Sequence, residues 1–247
     1  MEIVQDITKG KLKSAYVVAP FDEAKATLES KSYRIISLQE NAQLRMQEGA
    51  DSSVSKRGNY TREGVLYLPK KGIFLVRNSP ILDKAKEATN CNRSRKEFYL
   101  TIEQVEKALT DSVEFKSAGI PTNRFGDDKI TSFAFGKDAK AYGEFLRESG
   151  INSINTYVVN SESNPFARQL WLYGLVDGDR SSLLGDSKGL GYGNGVRGVS
   201  ASAKGASQTQ KSESNKVIAY TPEQISKVLK KKGLAGIEGI LLDGLKQ

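Results

Sequence analysis

The side chains able to do chemistry in this chain are carboxylates, lysines, tyrosines and serines. Histidine is absent and Cys91 is the single cysteine among 247 residues. A Ser-His-Asp triad and a Cys-His pair are therefore impossible within the chain, and no internal disulfide can form. One cysteine cannot build a structural zinc site. What remains is carboxylate chemistry with Mg²⁺-type ions, Ser-Lys or Tyr-Lys chemistry, or binding without catalysis.

Three short patterns fit the first of these. Glu114-Phe115-Lys116 places a carboxylate and an ammonium two residues apart. On a strand both project from one face, where the acid would hold Mg²⁺ and the lysine would steady an attacking water. A metal-dependent nuclease or phosphoryl-transfer enzyme built this way needs an upstream acid, and Asp83 and Asp111 are available. Asp177-Gly178-Asp179 offers a second oxygen-rich metal candidate, although the spacing is not that of an EF-hand. Ser53-Val54-Ser55-Lys56 matches the Ser-x-x-Lys spacing of acyl-transfer enzymes, with no other element of such a site. Outside the enzyme alternative, no cofactor is expected.

Binding chemistry is better represented. The net charge is +8. Arg93, Arg95 and Lys96 form one basic cluster, Lys230-Lys231-Lys232 another, and Lys56-Arg57 and Lys70-Lys71 two smaller ones. From Gly189 to Gly198 every second residue or so is glycine, which lets a backbone approach a ligand closely. Tyr192 in this run would stack on a base, and Lys188, Arg197 and Lys204 would meet phosphates. The segment matches neither a dinucleotide fingerprint nor a P-loop.

The elements that must position these residues follow from periodicity and breakers. Strands are expected at 14–19, 33–38, 98–100, 113–115, 131–135, 154–159 and 217–220, where β-branched and aromatic residues gather. The pair 64–68 and 73–77, joined by Pro69-Lys70-Lys71-Gly72, reads as a hairpin. Helices are expected at 22–29, 40–48, 80–89 and 137–148. Two more start at the capping boxes Thr101-Ile102-Glu103-Gln104 and Thr221-Pro222-Glu223-Gln224. Residues 51–59 and 117–128 read as loops. At 166–176 length favours a helix and aromatic content a strand.

Together these predict an α+β fold with a mixed or largely antiparallel sheet. A main body would span 1–184, a Gly/Ser/Lys-rich loop or linker 185–216, and a C-terminal strand and helices 217–247, docked on the body. No apolar run approaches the ~20 residues of a membrane span, no signal peptide is evident, and a cytoplasmic location is expected. Charge and basic clusters favour a nucleic-acid-binding protein without catalytic activity. The alternatives are the Mg²⁺-dependent enzyme and a structural or partner-binding protein whose glycine-rich segment orders on assembly.

Overall fold

The computed structural model describes residues 10–159, 163–175, 182–185 and 189–200 with their side chains, and the backbone of Ile3–Gln5. The chain divides into two compact units, Met1–Lys204 and Gly205–Gln247, and every described residue belongs to the first.

The chain opens with β1 (Ile3–Gln5), β2 (Ser14–Ala19), α1 (Phe21–Ser30), β3 (Tyr33–Ile35), α2 (Leu38–Glu48) and α3 (Ser53–Lys56). The long strand β4 (Asn59–Leu68) turns into β5 (Gly72–Val76) as the expected hairpin. A 3-10 turn at Pro80–Lys84 leads into α4 (Ala85–Arg93), then β6 (Phe98–Tyr99), α5 (Ile102–Leu109), β7 (Ser112–Glu114) and β8 (Ala118–Pro121). Two helices, α6 (Lys129–Phe135) and α7 (Ala139–Glu148), precede β9 (Ser153–Tyr157), β10 (Phe166–Leu172), β11 (Ser182–Leu184) and β12 (Asn194–Ser200).

The strands form one mixed sheet in the order β1-β2-β12-β4-β10-β11-β9-β8, with β5, β7, β3 and β6 attached to its sides. The β12–β4 and β9–β11 pairs are parallel; the remaining described pairs are antiparallel. The α+β class is thus as expected. Alternation along β4 divides the core between the two faces. Val65 and Tyr67 join α2, α6 and α7 through Leu38, Ala42, Ala134, Phe135, Tyr142 and Leu146. Tyr60, Leu66 and Leu68 join α1 and α4 through Phe21, Ala24, Leu28 and Ala88. Helices therefore cover both faces, which is why the second half of β4, Val65-Leu66-Tyr67-Leu68, is a continuous apolar run rather than a clean alternation.

Four expectations need correction. Within the expected loop 117–128, Ala118–Pro121 form strand β8, which pairs with β9. Residues 131–135 are helical, because the Asp128 carboxylate accepts from the Ile130 and Thr131 N–H groups and nucleates α6. Ile130, Thr131, Ala134 and Phe135 then share its buried side at helical spacing. Residues 53–56 within the expected loop 51–59 form α3, capped by Ser52 accepting from the Ser55 N–H. The body does not stop at 184: β12, inside the expected linker, lies between β2 and β4 within the sheet. The ambiguous segment 166–176 contains strand β10. The strand and helices expected at 217–247 lie outside the described residues.

Candidate binding surface

Register brings one set of chain segments to a single end of the sheet. Asn194 of β12 faces Ala19 of β2, and Val196 faces Tyr60 of β4. Across β4, Trp171 and Leu172 of β10 face Tyr60 and Asn59. The beginnings of β12 and β4 and the ends of β2 and β10 therefore meet, and the loops leaving them form a rim.

The glycine-rich loop in front of β12 is built into this rim. Phe21 N–H donates to the Leu190 carbonyl at 2.9 Å, and Gly191 N–H to Asn92 Oδ1 at 2.9 Å. Tyr192 N–H and Asn194 Nδ2 both donate to the Gly189 carbonyl at 3.1 Å. Leu190 is buried among the apolar side chains below. Two glycines are needed for close approach. A Cβ at 191 would stand 2.6 Å from Arg93 Cγ, and one at 195 would overlap the Tyr16 hydroxyl. The loop thus holds Tyr192 out at 64% exposure, and Val18 of β2, paired with Gly195, is 57% exposed.

Next to this pair lies a cation-aromatic cluster. Arg57, exposed at the end of α3, sits 5.3 Å from the Tyr16 ring centroid, and Tyr16 Oη donates to the Gly58 carbonyl at 3.0 Å. Burial raises the Tyr16 hydroxyl above its usual range, opposed by the Arg57 charge. Gly58 packs on the indole of Trp171, which meets Tyr60 and Tyr173 edge-on at 4.9 and 6.4 Å. The Tyr173 backbone is fixed from behind: Arg45, fully buried in α2, donates to its carbonyl at 2.8 Å and to Tyr142 Oη at 2.9 Å. Leu175 N–H donates to the Ser55 carbonyl at 2.7 Å.

The candidate residues fall into three groups. Gly191, next to Tyr192, rests on Arg93; Arg93 also pairs with Glu23 at 3.3 Å. Arg95 and Lys96 follow in the exposed turn after α4. Arg197 is a correction: it is fully buried on β12, 4.8 Å from the Tyr16 ring centroid, with Nη1 on Ser14 Oγ at 3.4 Å. Burial pushes its guanidinium down to about 10. It belongs to the interior and does not face a polyanion.

Glu114 and Lys116 are exposed on either side of the buried Phe115, as alternation requires. The upstream acids are occupied: Asp83 pairs with Lys107 at 3.4 Å and Asp111 with Arg77 at 3.6 Å. Among the described residues, no three His, Cys, Asp or Glu side chains gather as metal ligands. Lys188, Lys204, Lys230, Lys231, Lys232, Asp177 and Asp179 lie outside the described residues. No helix among the described residues is long and apolar enough to cross a membrane.

Sequence reasoning counted Arg57 only as a cluster charge, missed Val18, Trp171 and Tyr173 as surface groups, and missed the buried Tyr16 ring beneath Arg57. The available signals were the single tryptophan and the basic Lys56-Arg57-Gly58 stretch; their contact is visible only in the structure.

No protein-family model and no curated protein matches the sequence. A solved structure described as "Accommodation of massive sequence variation in Nanoarchaeota by the C-type lectin fold" is similar in shape, with a TM-score of 0.58. The two are 15% identical, over 78% of this chain and 99% of that chain. The likeness is one of fold.

Proposed function

We propose that this chain is a non-catalytic binding protein that holds its partner at the rim formed by Val18, Tyr192, Tyr16, Arg57, Trp171 and Tyr173. One observation carries the reading. Tyr192 stands exposed on a loop fastened by backbone hydrogen bonds, Val18 stands exposed on the neighbouring strand β2, and a guanidinium is set on the aromatic ring of Tyr16. Tyrosine, tryptophan and arginine dominate binding hot spots, because they bring large contact area at a low cost in conformational freedom. Pre-ordering the loop lowers the entropy lost on association. The similar fold, described as accommodating massive sequence variation, supports a scaffold whose surface loops change while the sheet persists.

The partner class favoured is a protein or peptide, and the reading requires no cofactor. A random-peptide display selection tests it, with the double variant Tyr192→Ala/Arg57→Ala as counter-target. Peptides enriched on the native protein and at least tenfold weaker on the variant support the proposal. Enrichment that ignores the variant sinks it.

A second reading, nucleic-acid binding, is favoured by the close approach of Gly191, the residue before the exposed Tyr192, to Arg93, with Arg95 and Lys96 following. Stacking on Tyr192 with phosphate contacts to these cations would suit a single strand. A labelled oligothymidylate titrated at low and physiological salt tests it. The reading predicts binding that weakens steeply as salt rises, and no binding at low salt removes it.

A further inference from the structure

Between Tyr60 and Gly64 strand β4 leaves its ladder. Gln169 pairs with Gly64 and Trp171 with Tyr60, so Thr61, Arg62 and Glu63 stand opposite Leu170 alone. This bulge is clasped from three sides. The Gln169 carboxamide Nε2 donates to the Thr61 carbonyl and, at 2.9 Å, to the Glu63 carbonyl. Arg62 N–H donates to the Ile36 carbonyl at 2.9 Å, and Ser79 N–H to the Arg62 carbonyl at 3.0 Å. The Glu63 side chain passes beneath α2, where Oε2 accepts from the Leu38 N–H at 3.0 Å.

The bulge leaves three buried side-chain oxygens unpaired. Thr61, Glu63 and Gln169 are all 0% exposed. Glu63 Oε1, Thr61 Oγ1 and Gln169 Oε1 have no hydrogen-bond partner. The Gln169 amide cannot turn round to help, because its nitrogen already serves two carbonyls. A buried acceptor without a donor is costly, and a buried anion more so. A proton on the Glu63 carboxyl removes the charge and converts one of its oxygens into a donor.

We propose that Glu63 is a proton-operated latch: in its neutral form it closes the β4 bulge against α2, and its ionisation favours openings that admit water to the seam. The charges facing it are Arg62 on its own strand and Arg77 beyond β5, which favour the anion. The nearby end of α2 carries Glu40, already paired with Arg34 and bonded to Ser37; Gln169 of β10 is neutral. Burial outweighs the two arginines and the two backbone N–H donors, raising the carboxyl to about 7. A chain without histidine would thus titrate near neutrality through a carboxyl. Arg45, which fixes Tyr173, lies on the same helix, but the proposal does not depend on what the rim binds.

Two measurements on the whole chain test it. Carbon-13 NMR of the glutamate carboxyls should show one resonance, lost in Glu63→Gln, with a midpoint near 7. Amide exchange at Leu38 and Arg62, corrected for intrinsic rates, should lose about 70-fold protection between pH 5 and pH 8 in the native protein. Glu63→Gln should show no such loss, because its amide supplies a donor at every pH. A Glu63 midpoint below 5, readable without any variant, overturns the proposal. So does an equal loss of protection in both proteins.

Discussion

Replacing Glu63 by glutamine should make the protein's stability nearly independent of pH across neutrality. In the folded chain the carboxyl is raised from 4.5 to about 7 by burial. Between these values the unfolded chain has released its proton and the folded chain still holds it. The folded state binds more protons there, so stability falls as pH rises. The contribution is fully present below about 4.5 and gone above about 7. Each tenfold change in acidity is worth about 1.4 kcal/mol, so the whole effect is about 3 kcal/mol, of which about 2.5 kcal/mol falls between pH 5 and pH 8. The other shifted groups at least half-buried act elsewhere. Glu40, lowered through its bonds to Arg34 and Ser37 against the opposing effect of burial, acts below 4.5. Arg197, lowered by burial, acts near 10, and Tyr16, raised by burial, acts above 10. Urea unfolding followed by the emission of Trp171, the single tryptophan, gives the number directly. The native protein should lose about 2.5 kcal/mol more than Glu63→Gln on going from pH 5 to pH 8. Parallel profiles would refute the reasoning, because they would mean that Glu63 ionises in the fold as it does in water.

Other substitutions probe the remaining elements. Gly195→Ala should destabilise by about 1–3 kcal/mol in thermal or urea unfolding, since the new methyl group must displace the Tyr16 hydroxyl from its place by Gly58. Asp128→Ala should cost about 1 kcal/mol, because two N–H groups of α6 lose their acceptor. Glu97→Gln should cost about 3 kcal/mol or more in urea. It strips a bidentate, nearly buried partner from Arg168, whose Nε and Nη2 donate at 3.1 and 2.6 Å. Tyr192→Ala should leave stability within about 0.5 kcal/mol while weakening partner binding at least tenfold by calorimetry.

The parts of the fold legible in the sequence are those where local chemistry and tertiary packing agree. The hairpin of β4 and β5 carries its Pro-Lys-Lys-Gly turn. Helix α5 begins at Thr101 with the expected reciprocal bonds to Gln104. Where the two disagree, the sequence misleads. Thr131 to Phe135 has the composition of a strand, yet one carboxylate at Asp128 commits it to a helix. Asn194 to Ser200 has the composition of a linker, and its glycines mark places where neighbours come close: Gly195 against Tyr16, Gly198 against Leu28 and Tyr33. Arg197 shows the same limit at a single residue. Its charge suggests a surface contact, but a strand between β2 and β4 sends it inward against an aromatic ring. The rim was only partly visible because it joins residues as distant as Tyr16, Arg57, Trp171 and Tyr192. Pairing register alone brings them together.

The rim as the contact surface is tested most directly by a footprint. Amide and indole shifts should be mapped on the native protein during titration with the tightest peptide from the display selection. The largest changes are predicted at Val18, Arg57, Tyr192 and the Trp171 indole. Changes centred instead on the exposed sides of α6 and α7, with the rim unmoved, would contradict the account.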